Sequence, residues 1–245
     1  MIVKPPRGIY VRLMIEAISH RGSRADHPEN TTGAVLAAAA VGADGVEIDV
    51  HATRDGVVVV HHDLFPRGTA TDVTLGSRPI AELTFEELQL FDIGGGHRIP
   101  SLREVLDRLG GRARLYVEIK GRSCEDQVAA ELAGASVNVA VHSFDHRSIR
   151  LMAELIPHVP RGVLQGSYMV DNCAALQAAS ATDLWQHGEL IDADLVREVH
   201  DCGARVIAWT VNEARDWERL AEDGVDAICT DDVARLIRWR DGRPA

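Results

Sequence analysis

Glu47 and Asp49 stand two residues apart inside an otherwise apolar run, GVEIDV (45–50). On an extended strand, residues i and i+2 share a face, so the two carboxylates project side by side. Two bare carboxylates there repel each other and lose hydration, and they need a cation, a proton or a basic partner. Oxygen ligands at that spacing suit a hard divalent cation, and a solvated strand end is the plainer alternative. Glu118, in LYVEIKG, adds a third acid at the end of another β-rich run, with Lys120 two residues on and facing the same way. An ordinary Glu118–Lys120 ion pair would account for those two but not for the other acids. His20 is followed by Arg21 and Gly22. Histidine titrates near neutrality and moves protons, arginine grips phosphate oxygens through two N–H groups, and glycine lets a ligand approach the backbone. His61-His62-Asp63 ends the run VVVV (57–60). Alternation sends these two histidines to opposite faces, so one of them easily reaches the acids, and residue chemistry leaves the choice open.

The segments that must carry these groups alternate between strand and helix patterns nearly to the end of the chain. Strand runs fall at 17–19, 45–50, 57–60, 114–120, 137–141, 161–165, 182–186, 204–210 and 225–229. Helical stretches fall at 30–41, 101–109, 125–133, 146–156, 172–179, 192–201, 213–223 and from Asp232 onward, with Ser101 as a cap and Gly110 as a stop. Such alternation implies parallel strands with helical crossovers. At 245 residues the chain has the size of one (β/α)8 barrel, so the reading is a single α/β domain over 1–245 with a TIM-type barrel. Nine runs are one too many for eight strands. The link between 45–50 and 57–60 is too short for a parallel crossover, so Arg54-Asp55-Gly56 is expected to turn a hairpin. If Thr53 faces Val57, Asp49 comes beside His61, and Glu47 comes near His62 and Asp63. Residues 64–99, rich in Gly, Thr and Asp and holding the short helical run TFEELQLF, read as a small insertion over the barrel mouth.

Hydrophobic residues at 46% and charged residues at 26% describe an ordinary globular chain. A net charge of −11, without a basic stripe, speaks against nucleic acid as a partner. Bound metal with a few Arg or Lys can still reverse the field locally for a small anion. Cys124, Cys173, Cys202 and Cys229 show neither zinc nor disulfide spacing, which suits separate thiols in a reducing compartment. The N-terminal run MIVKPPRGIYVRLMIEAISH is broken by Pro, Arg and Glu and reads as neither a signal peptide nor a membrane span. A soluble cytoplasmic protein without stable membrane anchoring is the expectation.

ISHRGSRADHPENT, GADGVEIDVHATRDGVVVVHHD, RIPSLREVL, LYVEIKG, HSFD, AWTVN and GVDAICTDD occur in an order and spacing that resembles the glycerophosphodiester phosphodiesterase family. The resemblance runs from His20 to Asp232, and its H-R-G, P-E-N-T, E-x-D and H-D motifs are specific in combination. It implies a (β/α) barrel with a small insertion after the second catalytic histidine. By matching motifs, His20 and His62 are the implied catalytic pair, with His61 a neighbour. Glu47, Asp49 and Glu118 are the implied ligands of one divalent ion, Mg2+, Ca2+ or Mn2+. Arg21 and Lys120 are implied at the phosphate, Trp209 in the substrate pocket, and Glu29 and Asn30 in support. The chain departs from the family after the final T-D, where Asp232 and Val233 replace a frequent Pro. The short insertion with Gly94-Gly95-Gly96-His97 leaves the alcohol specificity open.

The implied activity is metal-dependent hydrolysis of glycerophosphodiesters to sn-glycerol 3-phosphate and an alcohol, with the two histidines as acid and base. The nucleophile is either water or the glycerol 2-hydroxyl acting through a cyclic phosphate. Two other readings stand beside it. One is a related lyase or lysophospholipase D that forms a cyclic phosphate, and the other is a non-catalytic binding barrel.

Overall fold

The strands are largely apolar because each must serve two buried surfaces, the barrel lumen on one side and a layer of helices on the other. The computed structural model describes residues 15–25 and 27–242. Residues 1–14, most of the N-terminal run discussed above, and Asp26 in the P-E-N-T segment lie outside the described residues. The strands are β1 (Glu16–His20), β2 (Gly45–Ala52), β3 (Val58–Val60), β4 (Arg114–Ile119), β5 (Val139–Ser143), β6 (Arg161–Gln165), β7 (Asp183–His187), β8 (Arg205–Trp209) and β9 (Ala227–Thr230). All but β3 pair in parallel, and pairing of β1 with both β2 and β9 closes the ring. The closed eight-stranded barrel agrees with the reading from alternation.

The helices are α1 (Thr32–Ala40), α2 (Phe85–Leu88), α3 (Leu102–Leu109), α4 (Glu125–Ala133), α5 (His146–Leu155), α6 (Asn172–Ala179), α7 (Ala193–Asp201), α8 (Ala214–Asp223) and α9 (Val233–Arg240). Ser101 caps α3 by accepting the Glu104 N–H, and Gly110 ends it in the left-handed region at φ 57°. Val46, Ile48 and Val50 of β2 pack under the helices. Ile18, Tyr116, Ala140, Leu164, Trp185 and Ile207 fill the lumen. Register then places Glu47 beside Tyr116, Asp49 beside Glu118, and Glu118 beside His142, all on the lumen side. Gly162 has a packing reason, because a Cβ there would lie 2.7 Å from the Trp185 ring.

The ninth strand is the expected hairpin arm. Strand β3 runs antiparallel to the outer end of β2, pairing Val50 with Val60 and Ala52 with Val58. Thr53 donates its N–H to the Val57 carbonyl at 2.9 Å, and Gly56 takes φ 85° in the turn. One step further, the His61 N–H donates to the Asp49 carbonyl, also at 2.9 Å, which confirms the predicted juxtaposition. Beyond Val60 the chain enters the expected excursion. It has its own small core of Val59, Leu75, Ile80, Leu83, Leu88, Phe91 and Ile99. A capping box joins Thr84 and Glu87 at the start of α2. The run DIGGGH is a turn around Asp92, whose carboxylate accepts the N–H groups of Gly94 and Gly96. His97 meets His27 edge to face at 5.4 Å, which lays this segment beside the loop after β1.

One expectation is corrected. Cys173 and Cys202, read as separate thiols, form a disulfide between the first turn of α6 and the residue after α7. Their separation of 29 in sequence carries no spacing signal, since the helices become neighbours only after the barrel forms. Cys124 and Cys229 are buried free thiols. Among the described residues, no helix is long and apolar enough to cross a membrane. If the cells are lysed directly into denaturant with a thiol-blocking reagent and no reductant, two cysteines should carry the blocking group and two should remain bonded. Four blocked cysteines would mean that the pair is held reduced in the cell.

Candidate active site

The site forms at the C-terminal ends of the strands, where barrel loops converge. Glu47 and Asp49 project from β2, and Glu118 from β4, into one buried volume. Burial, and then the charges of Asp49 and Glu118, push the Glu47 carboxyl well above its ordinary range. Burial and Asp49 likewise raise Glu118 to about 7. Asp49 behaves differently. Burial opposes its ionisation, but Arg21, Lys120, the Asn30 amide and His62 together hold its carboxyl below the ordinary value. Arg21 Nε lies 3.1 Å from Asp49 Oδ2, and Lys120 Nζ lies 3.5 Å from Asp49 Oδ1 and 2.7 Å from Glu118. Asn30 donates to Asp49 at 2.8 Å and accepts the Asp49 backbone N–H at 3.2 Å, giving it the supporting place that the motif implied.

The acids fit a divalent cation on the evidence of one atom in particular. Glu47 Oε1 is buried without a hydrogen-bond partner, and its nearest basic neighbour, His142 Nε2, is 4.0 Å away. Glu47, Glu118 and His142 each offer a ligand atom, all within 4.8 Å of one another. His142 stacks on Trp185 at 4.0 Å, and burial pushes its imidazole down to about 3, so it is neutral with a lone pair free for a metal. His142 stands in the H-S-F-D motif, where residue type and spacing assign it no role. The available signal was its place one strand over from Glu118 on the same face.

Arg21 is held by three acids. Its N–H donates to Glu47 at 3.1 Å, its guanidinium to Glu29 at 3.0 Å, and its Nε faces Asp49. It adopts φ 59°, a left-handed conformation uncommon outside glycine, so the tight loop is fixed by these bonds. Gly22 follows at φ 81°, and the reason differs from ligand approach. A Cβ there would lie 2.6 Å from the Ala34 backbone, so Gly22 lets the loop lie against α1.

Both implied histidines are partly open, and each has a carboxylate on Nδ1. His20 Nδ1 donates to Asp231 at 2.7 Å, and His62 Nδ1 donates to Asp63 at 2.6 Å. Each aspartate is also held by an arginine, Asp231 by Arg24 at 2.8 Å and Asp63 by Arg67. Despite burial, hydrogen bonds from His20 and Asn212 together with nearby positive charge bring Asp231 down to about 2. An ionised partner on Nδ1 fixes the tautomer and leaves Nε2 outward. Asp63 and Asp231 were visible in H-H-D and T-D-D, but a hydrogen bond spanning 211 residues is not readable from spacing.

His61 is placed otherwise. It is buried, its Nε2 accepts the Arg67 backbone N–H at 3.2 Å, and burial lowers its imidazole to about 4. His51 sets its Nε2 3.2 Å from the His62 carbonyl and anchors that backbone. Across the mouth, Trp209 at the end of β8 meets Phe144 and His187 edge to face, each at 5.4 Å.

A closed (β/α)8 barrel with buried acids and two aspartate-bound histidines at its strand C-termini belongs by architecture with the barrel enzymes. Residues 20–235 match the glycerophosphoryl diester phosphodiesterase family, and the chain belongs to that family. A glycerophosphodiester phosphodiesterase of Caldanaerobacter subterraneus subsp. tengcongensis is 33% identical over 235 residues, covering 90% of this chain and 95% of the relative. The structure of an Oleispira antarctica phosphodiesterase in complex with the product sn-glycerol-3-phosphate superposes with TM-score 0.82 at 25% identity, covering 94% of this chain and 97% of that one. A glycerophosphodiester phosphodiesterase from Thermotoga maritima shares the fold at TM-score 0.77, with 24% identity and coverage of 92% and 98%.

A cation stabilises carboxylates, so its binding must displace any proton on Glu118 or Glu47. Affinity should therefore rise with pH through about 7, where Glu118 ionises, and further while Glu47 keeps its proton. Calorimetry in buffers of different ionisation enthalpy should show more protons released at about pH 6 than at about pH 8. Equal release at both would remove Glu118 from the ligand set.

Proposed function

We propose that the chain hydrolyses glycerophosphodiesters to sn-glycerol 3-phosphate and an alcohol. It is an enzyme of the phosphodiesterase class, and the barrel with its 64–99 insertion acts as one domain. The observation that carries the reading is the pair of half-open histidines, each with Nδ1 on its own aspartate, beside buried acids that call for a cation.

Phosphodiesters resist attack because their charged oxygens repel nucleophiles. Glu47, Asp49 and Glu118 would hold one divalent cation, Mg2+, Ca2+ or Mn2+, with His142 as a further donor, and that ion would supply Lewis acidity to the phosphate. Arg21 and Lys120 add fixed positive charge, and their orientation is set before substrate arrives. His20 and His62 divide the proton work through Nε2. One takes the proton of the attacking water or glycerol 2-hydroxyl as its oxygen bonds to phosphorus. The other gives a proton to the leaving alkoxide as the bond from phosphorus to the alcohol oxygen breaks, and on the 2-hydroxyl route water then opens the cyclic phosphate. Trp209 lines the pocket on the side away from the acids. The substrate is a small molecule, and the acidic surface disfavours nucleic acid. We place the protein in the cytoplasm, free of stable membrane anchoring.

His20→Ala and His62→Ala should each lower kcat by about 10²- to 10⁴-fold while metal affinity persists. His61→Ala should stay within roughly tenfold of the parent in kcat, because its ring serves the loop. A dead His61→Ala beside an active His62→Ala would reverse that assignment. Chelation should abolish turnover, and phosphorus NMR should show glycerol 3-phosphate as the end product. A cyclic phosphate that accumulates without opening would instead make this a lyase.

A further inference from the structure

A cleft of about 830 Å³ opens from the candidate site toward the rim, between the loop after β4 and the start of α5. Lys120 and Phe144 line it, with Lys120 Nζ 5.7 Å from the centre of the Phe144 ring. Arg122, Glu125 and Arg147 line it as well. A diester whose phosphate lies against Lys120 therefore has a ready path for one of its two alcohol arms.

The charges along this path are unequally engaged. Lys120 is tied to Glu118 and Asp49. Arg147 grips Asp145 with two side-chain bonds, at 2.9 and 2.6 Å. Arg122 is exposed, and among the described residues it has neither an ion pair nor a hydrogen bond from its side chain. Glu125 accepts one hydrogen bond from the Ser148 hydroxyl at 2.5 Å and makes no ion pair among the described residues. One uncommitted cation and one uncommitted carboxylate thus line the same cleft. A plain polyol would leave both charges unmatched, and a choline-type cation would leave Arg122 unmatched. A group with a carboxylate and an ammonium answers both, since guanidinium and carboxylate pair through two parallel bonds.

We propose that this cleft receives the alcohol arm of the diester and selects an amino-acid head group of the serine type, with Arg122 on its carboxylate and Glu125 on its ammonium. The proposal rests on the phosphodiesterase reading and names its substrate class.

The test compares kcat/KM of the metal-loaded enzyme for glycerol phosphodiesters of serine, ethanolamine and glycerol. The parent should prefer the serine diester. Arg122→Ala should lower the serine value roughly tenfold more than the ethanolamine value, as expected for one lost charge-assisted bond. Glu125→Gln, which keeps the bond to Ser148, should lower the serine and ethanolamine values together relative to glycerol. Equal effects on all three diesters, or an unchanged ranking in both variants, would overturn the assignment. Calorimetric binding of the same diesters to the His20→Ala protein separates this from the reaction itself. Serine-selective binding by a chain whose parent hydrolyses none of them would sink the reaction and keep the cleft. Hydrolysis of all three without selectivity would do the reverse.

Discussion

Three carboxylates packed into one barrel mouth set the terms for everything around them. Inside a protein, like charges at this spacing are costly unless protons or cations answer them. The fold answers Asp49 with two fixed cations and an amide, and leaves Glu47 and Glu118 short of compensation. That asymmetry is what makes the site receptive. A fully neutralised cluster would be a structural salt bridge, whereas this one retains an unmatched oxygen on Glu47 beside a neutral His142. Preorganised charge of this kind also needs no rearrangement when a phosphate arrives.

The supporting residues follow from the same constraint. Arg21 reaches its acids by a left-handed backbone turn, and Gly22 makes that turn possible by lying flat against α1. Asn30, also left-handed at φ 59°, bonds Asp49 through both its amide atoms. Below the acids, Trp185 holds His142 by stacking, and Gly162 leaves room for the indole. The lumen is thus layered, with aromatic packing underneath and ionic chemistry above.

Much of this was legible in the chain. Period-two alternation in GVEIDV put Glu47 and Asp49 on one face, and the length of the 51–56 link predicted the hairpin that sets Asp49 beside His61. Strand-to-helix alternation was enough for the barrel. The pairings that depend on closure were not legible. His142 joins the acids only through the register of β4 with β5, and Asp231 reaches His20 only because β9 returns to β1. The Cys173–Cys202 bond is of the same kind, linking two helices that become neighbours only once the barrel is complete. Choosing His62 over His61 needed the family pattern, and the structure adds a physical distinction in burial and partners.

The bond between His20 and Asp231 has a consequence for how the protein is made. Glu47, Asp49, Glu118 and His62 all lie in the first half of the chain, whereas the group that orients His20 lies near its end. The buried carboxylates can therefore come together before His20 is oriented. Closure of β9 against β1 thus completes the barrel wall and seats Asp231 on His20 in one event.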